Sequence, residues 1–158
     1  MAFYPPAITF FFTLIGLTEG LFGVKVRGAQ MIIRRNDEIL LIKTTYRKHW
    51  EFPGGRVDKG ETGEEAAIRE AREESAVNVK NTERKLGSYL QRNLGRKIIV
   101  EVFVAREWDF EGEWSPSLEI ADRKFFPLNA LPPDISPATA RRIAELLAHT
   151  EEELSGAW

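Results

Sequence analysis

The sequence predicts an α+β fold in which mixed sheets are flanked by helices. Strand-like runs, rich in β-branched and apolar residues, occur before residue 53 and again after residue 86. A helical stretch over 63–75 separates the two groups, and a second helix is predicted from 137 onward. Strands, a helix, strands again and a last helix together indicate a layered mixed domain.

The predicted strands of the first half are Val24–Arg34 and Glu38–Thr44, joined by a tight turn. A short apolar stretch, Trp50–Pro53, is then predicted as a strand that ends in a loop at Gly54 and Gly55.

The first helix is the most strongly indicated element. Residues 63–75 are mainly Ala, Glu and Arg, and Thr62 followed by Glu65 makes a capping box at the start. Residues spaced three and four apart share one helix face, so three glutamates are predicted to lie side by side. They are Glu70, Glu73 and Glu74.

The second half is predicted to contain more strands and a final helix. Leu86–Gln91 and Ile98–Ala105 flank a turn at Asn93 and Gly95, and Arg123–Phe126 is a further strand. Ser136 is predicted to cap a helix over about 137–151 with a proline at its first position, and the tail beyond it is expected to be frayed.

Size and composition favour one globular domain over 1–158. Hydrophobic residues make up 43% and charged residues 29% of the 158 residues. The net charge of -2 gives no general attraction to a polyanion, so a phosphate ligand must be held by local groups or a metal. The chain has no cysteine, which excludes thiol catalysis and thiolate metal sites.

The first 22 residues form an apolar segment. Its run Ile8–Leu17 is too short to span a bilayer and has no Lys or Arg before it, which disfavours a signal peptide. Pro5 and Pro6 favour a terminal helix that packs on the domain or on a second subunit. We therefore expect a cytoplasmic protein, monomeric or homodimeric, without a membrane partner.

The three helix glutamates suggest a cation site. Like charges at these spacings repel, and oxygen-only ligands select magnesium, calcium or manganese. For the glutamates alone, a solvated helix face is an equally good interpretation. The context favours a site, because Gly55 lies six residues before Glu61, Glu61 eight before Arg69, and Arg69 directly before Glu70. Amphipathicity requires none of those spacings.

With these spacings, residues 55–77 resemble the Nudix box, and the preceding Trp50, Phe52, Pro53 and Gly54 resemble the stretch that leads into it. The resemblance implies an α/β/α sandwich with a central mixed sheet, a smaller antiparallel sheet and flanking helices. It also implies a hydrolase that uses Mg²⁺, with Mn²⁺ possible. Two positions depart from the pattern. Ala71 is a small apolar residue, and Ala76 replaces a late glycine, so the helix is expected to end differently, near Asn78.

The resemblance also assigns roles to individual residues. Glu73 and Glu74 would coordinate the metal together with the backbone oxygen of Gly55, and Glu70 would coordinate it or serve as the base. Arg69 and Glu61 would pair and hold the loop against the helix. Many members supply a further catalytic glutamate from the second half of the chain. Glu119 fits that role best, ahead of Glu113 and Glu101, although an exposed strand-edge charge explains it equally well.

A basic loop precedes the box. Arg47 and Lys48 are candidates for binding substrate phosphates, and solubility alone is the competing explanation. His49 has no evident partner in the sequence and is expected to be exposed to solvent.

The sequence narrows the substrate only partly. The resemblance implies a small-molecule substrate in which a nucleoside diphosphate is linked to another group, and the short chain favours a nucleoside triphosphate. In the family that the chain resembles, a proline after the box marks the ADP-ribose class. No proline lies between Pro53 and Pro116, which disfavours that class. The signatures of NADH and coenzyme A pyrophosphatases are not visible either. Asp134 and Ser136 stand where guanine-nucleotide members carry an asparagine. A catalytically silent nucleotide sensor and an RNA 5′-end pyrophosphohydrolase are the alternatives.

Overall fold

A computed structural model describes residues 26–93, 96–148 and 153–158. The apolar segment 1–22 and its predicted helix lie outside the described residues. The described part contains a five-stranded mixed sheet, a smaller antiparallel sheet and two helices, which confirms the predicted α+β architecture. Its elements are β1 Val26–Ile32, β2 Arg34–Arg35, β3 Glu38–Thr44, β4 Trp50–Glu51, β5 Gly54–Arg56, α1 Gly63–Ser75, β6 Val77–Asn93, β7 Arg96–Phe110, β8 Ile120–Pro127, α2 Pro137–Leu147 and β9 Leu154–Ala157.

The larger sheet has the strand order β5-β1-β7-β6-β9. Strand β1 runs parallel to β7 and antiparallel to β5, and β6 and β7 form a long antiparallel pair. Both β6 and β7 extend well beyond their predicted limits. The register of this pair shifts at several places between Val79 and Gly87, which interrupts the two-residue alternation that reveals a strand in a sequence.

The smaller sheet takes up part of the first predicted strand. The segment Val24–Arg34 is not one strand, because β1 ends at Ile32 in the larger sheet and β2 pairs with β3 in the smaller one. Strands β4 and β8 also pair with β3, and all of these pairs are antiparallel. The buried Ile33 therefore marks the point where the chain passes from one sheet to the other.

The glycine pair before the box forms an edge strand instead of the predicted loop. Gly54–Arg56 pairs with β1, and Gly55 lies opposite Ala29. A Cβ atom at Gly54 would come within 2.3 Å of the Ala29 carbonyl oxygen, so only glycine permits this close pairing. The first residues of the box are thereby fixed to the sheet.

Helix α1 has the predicted bounds and the predicted capping box. The Thr62 side chain accepts from the Glu65 backbone N–H, and the Glu65 side chain accepts from the Thr62 backbone N–H. The buried face of the helix consists of small residues, among them Ala66, Ala67 and Ala71, which are fully buried in a core with residues of β1, β6 and β7. Small side chains let the helix axis approach the sheet closely.

The C-terminal region differs from its prediction in two ways. Helix α2 starts at Pro137 with Ser136 as its cap, as predicted, but ends at Leu147. The tail is not frayed, because β9 pairs in parallel with β6 and the Trp158 N–H donates to the Leu90 carbonyl at 3.0 Å. Pairing satisfies backbone groups of β6 that would otherwise form an open edge. Neither helix in the described ranges is long and apolar enough to cross a membrane.

Ala76 caps α1 in a left-handed conformation, with φ 50° and ψ 35°. Its N–H donates to the carbonyls of Ala71 and Arg72, so the helix ends where the box pattern places its glycine. The prediction that the helix would end near Asn78 is therefore wrong. An alanine held in this region costs about 1 kcal/mol relative to glycine.

We expect Ala76→Gly to raise the free energy of unfolding by about 0.5–1 kcal/mol, because it removes this backbone strain. Urea denaturation of the two proteins measures the difference. Asn36→Gly is the matched control, since Asn36 also has a positive φ of 54° but asparagine tolerates that region better than alanine does. Equal or lower stability of Ala76→Gly would show that the cap is not strained.

Candidate active site

Two helix carboxylates lie against the glycine backbone of β5. A Cβ atom at position 55 would come within 2.5 Å of the Glu70 Oε1 atom, so a glycine is needed there for Glu70 to occupy its place. The Gly54 N–H donates to Glu74 Oε2 at 2.7 Å. Glu74 is buried and the Glu70 side chain is only 15% exposed. The predicted residues Gly55, Glu70 and Glu74 therefore meet at one edge of the larger sheet.

Arg69 joins the loop to the helix as the box resemblance implies. Its Nε donates to Glu61 Oε1 at 3.0 Å and its Nη2 donates to Glu61 Oε2 at 3.1 Å. The same guanidinium donates to the Arg56 carbonyl at 3.0 Å and to Glu70 Oε1 at 2.7 Å. These bonds hold the pKa of Glu61 below its usual range. One arginine thus fixes the loop and one of the buried carboxylates.

Glu73 occupies a more open position than its two neighbours. Its side chain is 58% exposed, and its Oε2 accepts from Arg69 Nη1 at 3.3 Å. Across the described ranges, no three carboxylate or histidine side chains lie close enough together to coordinate one metal ion. Glu73 would have to turn away from Arg69 to join Glu70 and Glu74 around a cation.

Burial and crowding raise the pKa values of the two inner carboxyls. The pKa of Glu74 rises to about 8, chiefly because the group is buried; the Gly54 N–H opposes this rise, and repulsion from Glu70, Glu119 and Glu51 adds to it. Burial also raises the pKa of Glu70, partly offset by Arg69. Ionising both inner carboxyls in this buried position is therefore unfavourable without additional positive charge.

The donor set fits a hard divalent cation. Its side-chain donors are carboxylate oxygens, which Mg²⁺ and Mn²⁺ prefer, and the Gly55 backbone lies beside Glu70 with no side chain between them. A cation placed there would favour the ionised form of both carboxyls, against the burial that chiefly raises their pKa values. The metal-binding role that the resemblance implies for these residues stays a prediction.

Of the three candidate glutamates in the second half, Glu119 is the one that interacts electrostatically with both inner carboxyls. Its charge raises the pKa values of both Glu70 and Glu74, and its Oε1 accepts from the Tyr46 hydroxyl at 3.3 Å. Glu101 lies in a separate ion network with Arg27 and Lys85. Glu113 is exposed.

The basic loop reaches the site through Arg47. Arg47 Nη1 donates to both oxygens of Glu51, at 2.7 and 3.0 Å, and Arg47 lies close enough to Glu74 for the two charges to interact. Lys48 is exposed, and His49 Nδ1 lies 3.3 Å from the Asp134 carbonyl oxygen.

Glu51 is a further residue near the site, and it was not predicted from the sequence. Glu51 is buried, and that burial raises its pKa despite the Arg47 contact. A glutamate inside the apolar stretch Trp50–Pro53 was the available signal, because an acid in a buried strand needs a partner or a function.

Comparison with known proteins shows which sequences this chain resembles. A family model described as the NUDIX domain matches residues 24–147. A putative 8-oxo-dGTP diphosphatase of Bacillus subtilis is 46% identical over 48 residues, which are 30% of this chain and 32% of that protein. Diphosphoinositol polyphosphate phosphohydrolase 3-alpha of Mus musculus is 34% identical over 105 residues, 65% of this chain and 63% of the relative.

A third relative and a solved structure extend the comparison. The ADP-ribose pyrophosphatase of Methanocaldococcus jannaschii is 34% identical over 106 residues, 64% of this chain and 61% of that protein. The chain thus spans less than two thirds of the length of these relatives. The crystal structure of a MutT NUDIX hydrolase from Burkholderia pseudomallei aligns with a TM-score of 0.69 and 25% identity, covering 78% of this chain and 98% of that one.

We expect the stability of the metal-free protein to fall as the pH rises from about 4.5 to about 8. Glu74 has a raised pKa in the folded state, so the folded protein binds more protons than the unfolded chain in this window. Glu74→Gln keeps an acceptor for the Gly54 N–H and removes the charge. It should flatten the pH dependence and stabilise the metal-free protein by about 1–3 kcal/mol at the alkaline end of the window.

Denaturant unfolding of both proteins at a series of pH values measures this effect. The exposed Glu83→Gln variant is the matched control, because it also removes one carboxylate. If Glu74→Gln follows the same pH curve as the unmodified protein, Glu74 is not the group responsible.

Proposed function

This chain belongs to the Nudix family, and from that premise we propose that it is a metal-dependent pyrophosphohydrolase of a nucleoside diphosphate linked to another group. The observation that supports this most is the arrangement of Glu70 and Glu74. Both carboxylates are largely buried side by side, next to the Gly54 and Gly55 backbone, where one arginine does not balance their charge. A nucleotide sensor without turnover would not need all the charged residues of the box, which are Glu61, Arg69, Glu70, Glu73 and Glu74.

The metal would be held by Glu70, Glu73, Glu74 and the Gly55 carbonyl oxygen. Mg²⁺ is the first choice and Mn²⁺ the second, on the chemistry of these oxygen donors. When bound, the cation would supply positive charge to the phosphate oxygens and make water a better nucleophile. Catalysis of phosphoryl transfer consists largely of such positioning and charge stabilisation.

The remaining residues would position groups and move a proton. Arg69, bonded to Glu61 and to the Arg56 carbonyl, would keep the loop and Glu70 in place. Glu70 or Glu119 would accept the proton of the attacking water, since each lies at the cluster and has an oxygen to offer. The glutamate that does not coordinate the cation would be the one that accepts the proton.

The basic loop would bind the substrate phosphates. Arg47 lies beside Glu51 at the margin of the carboxylate cluster, where its charge can attract a polyphosphate. Lys48, exposed on the same loop, would add a second positive charge. These two residues compensate for a net charge that offers a polyanion no general attraction.

We propose a nucleoside triphosphate as the substrate class, cleaved to a nucleoside monophosphate and pyrophosphate. The similarity to an 8-oxo-dGTP diphosphatase around the box supports this choice. Asp134 faces Lys43, whose Nζ lies 2.7 Å from Asp134 Oδ2, near the buried Trp50. The pair offers a donor and an acceptor to a base from two side chains, whereas the asparagine of guanine-nucleotide members offers both from one amide. The similarity to an ADP-ribose pyrophosphatase makes ADP-ribose a necessary member of the test panel.

We expect turnover of at least one substrate in a panel of canonical and oxidised nucleoside triphosphates, ADP-ribose, diphosphoinositol polyphosphates and 5′-triphosphorylated RNA, with Mg²⁺ or Mn²⁺ present. Glu73→Gln and Glu74→Gln should each lower kcat by about 100-fold or more, because they weaken the cation's hold on the phosphates. Release of AMP is the measurement for ADP-ribose and release of phosphate or pyrophosphate for the other substrates, and Glu83→Gln is the control. No turnover of any substrate by the unmodified protein would favour a sensing module instead.

We expect Glu119→Gln to lower kcat by about tenfold or more and to change the pH profile of kcat, because an acceptor for the water proton is lost. Glu113→Gln is the matched control, since Glu113 is also exposed in the same segment but is not among the charges that raise the pKa values of Glu70 and Glu74. An unchanged kcat and pH profile for Glu119→Gln would leave Glu70 as the candidate base.

A further inference from the structure

The C-terminal end of α1 is held by side chains from a different part of the chain. Trp114 Nε1 donates to the Glu74 carbonyl at 2.9 Å, and Arg123 Nη1 donates to the Ser75 carbonyl. The Glu111 N–H donates to the Ala76 carbonyl at 2.8 Å. The last carbonyls of a helix have no partner within it, and water usually satisfies those at an exposed end. Here protein groups replace that solvent.

Arg123 is itself held in place. Its guanidinium lies over the Phe110 ring at 4.7 Å and over the Trp114 ring at 5.2 Å. The residue belongs to β8, where it lies opposite Ile42 of β3 in the smaller sheet. A guanidinium between two rings loses most of its freedom, so its hydrogen bond fixes a position as well as satisfying a carbonyl.

This tether acts on the part of the helix that carries the carboxylates. Glu74 accepts from the Gly54 N–H through its side chain and from Trp114 through its backbone carbonyl, so it is held from both sides. The residue two positions later, Ala76, is in a strained left-handed conformation. Without an external hold, that strain favours fraying of the last turn.

We propose that Arg123 and Trp114 are positioning residues for the reaction, which hold the last turn of α1 so that Glu74 faces the β5 backbone. The tether compensates for alanine at position 76, where the box pattern has glycine. It also links the helix carboxylates to Glu119, because Trp114, Glu119 and Arg123 belong to one segment that ends in β8. This inference rests on the proposed function for its kinetic consequences, and on the Gly54–Glu74 contact for its structural one.

The test uses Arg123→Met, which keeps an unbranched apolar side chain between the rings, and Trp114→Phe, which keeps a ring and removes the donor. We expect Arg123→Met to lower kcat by about tenfold and Trp114→Phe by less, with the substrate KM within about twofold, because a small misplacement of reacting groups affects the chemical step most. The Mg²⁺ concentration for half-maximal activity should rise in both. Arg141→Met, an exposed arginine on α2, is the matched control.

A second measurement does not depend on activity. The Gly54 amide donates to the Glu74 carboxylate, so its NMR resonance in the metal-free protein reports the position of that side chain. We expect the resonance to move in Arg123→Met and in Trp114→Phe, and to stay in place in Arg141→Met. Arg123→Lys, which keeps a donor, should restore part of the native shift and part of kcat.

The backbone strain at Ala76 can be tested separately. Adding Ala76→Gly to Trp114→Phe should recover part of the lost kcat, because a glycine cap needs less external support.

Unchanged kcat and an unmoved Gly54 resonance in both folded tether variants would overturn the proposal. If Arg123→Met does not fold, Trp114→Phe decides alone. If the unmodified protein hydrolyses nothing, the proposed function fails, and the Gly54 resonance still decides whether the tether positions Glu74.

Discussion

The packing of two glutamate carboxylates against a glycine backbone is the constraint on which the candidate site depends. Glu70 occupies the space that a side chain at Gly55 would fill, and Glu74 accepts the Gly54 N–H. This contact requires α1 to lie close to the edge of the larger sheet, which the small residues on its buried face permit. Sheet edge, helix and carboxylates therefore form one structural unit.

The same contact makes the ionised forms of Glu70 and Glu74 unfavourable unless further positive charge is present. Buried carboxylates without enough positive charge are costly, and the raised pKa values of Glu70 and Glu74 express that cost. Arg69 neutralises part of the charge and also holds Glu61 and the Arg56 carbonyl, so it cannot serve every carboxylate at once. Under the proposed function, the same burial would preorganise oxygen donors for a cation at a cost in the stability of the metal-free protein.

Residues far apart in the sequence complete the arrangement around this unit. Arg47 approaches from the loop before β4 and Glu51 from β4 itself. Glu119 approaches from the residue before β8 and Arg123 from within β8. Helix α1 is therefore held between the glycine strand at one side and the segment before β8 at its C-terminal end. A change in either support is expected to move the carboxylates.

The sequence by itself determined the features that depend on neighbouring residues. The capping box at Thr62 and Glu65 defines the start of α1, and the three-and-four spacing puts Glu70 and Glu74 on one face, because both effects act within a turn or two of helix. The resemblance of residues 55–77 to the Nudix box indicated the family, and the match of the NUDIX domain over residues 24–147 confirms it.

Only the tertiary structure decided the features that rest on long-range pairing. It divided the first predicted strand at Ile33, placed the glycine pair in β5, extended β6 and β7 beyond their apolar runs and paired the tail with β6. It also kept Ala76 as a left-handed cap and brought Glu51 to the site. The physical reason is that strand partners, burial and the compensation of local strain depend on residues distant in sequence, about which a local pattern carries no information.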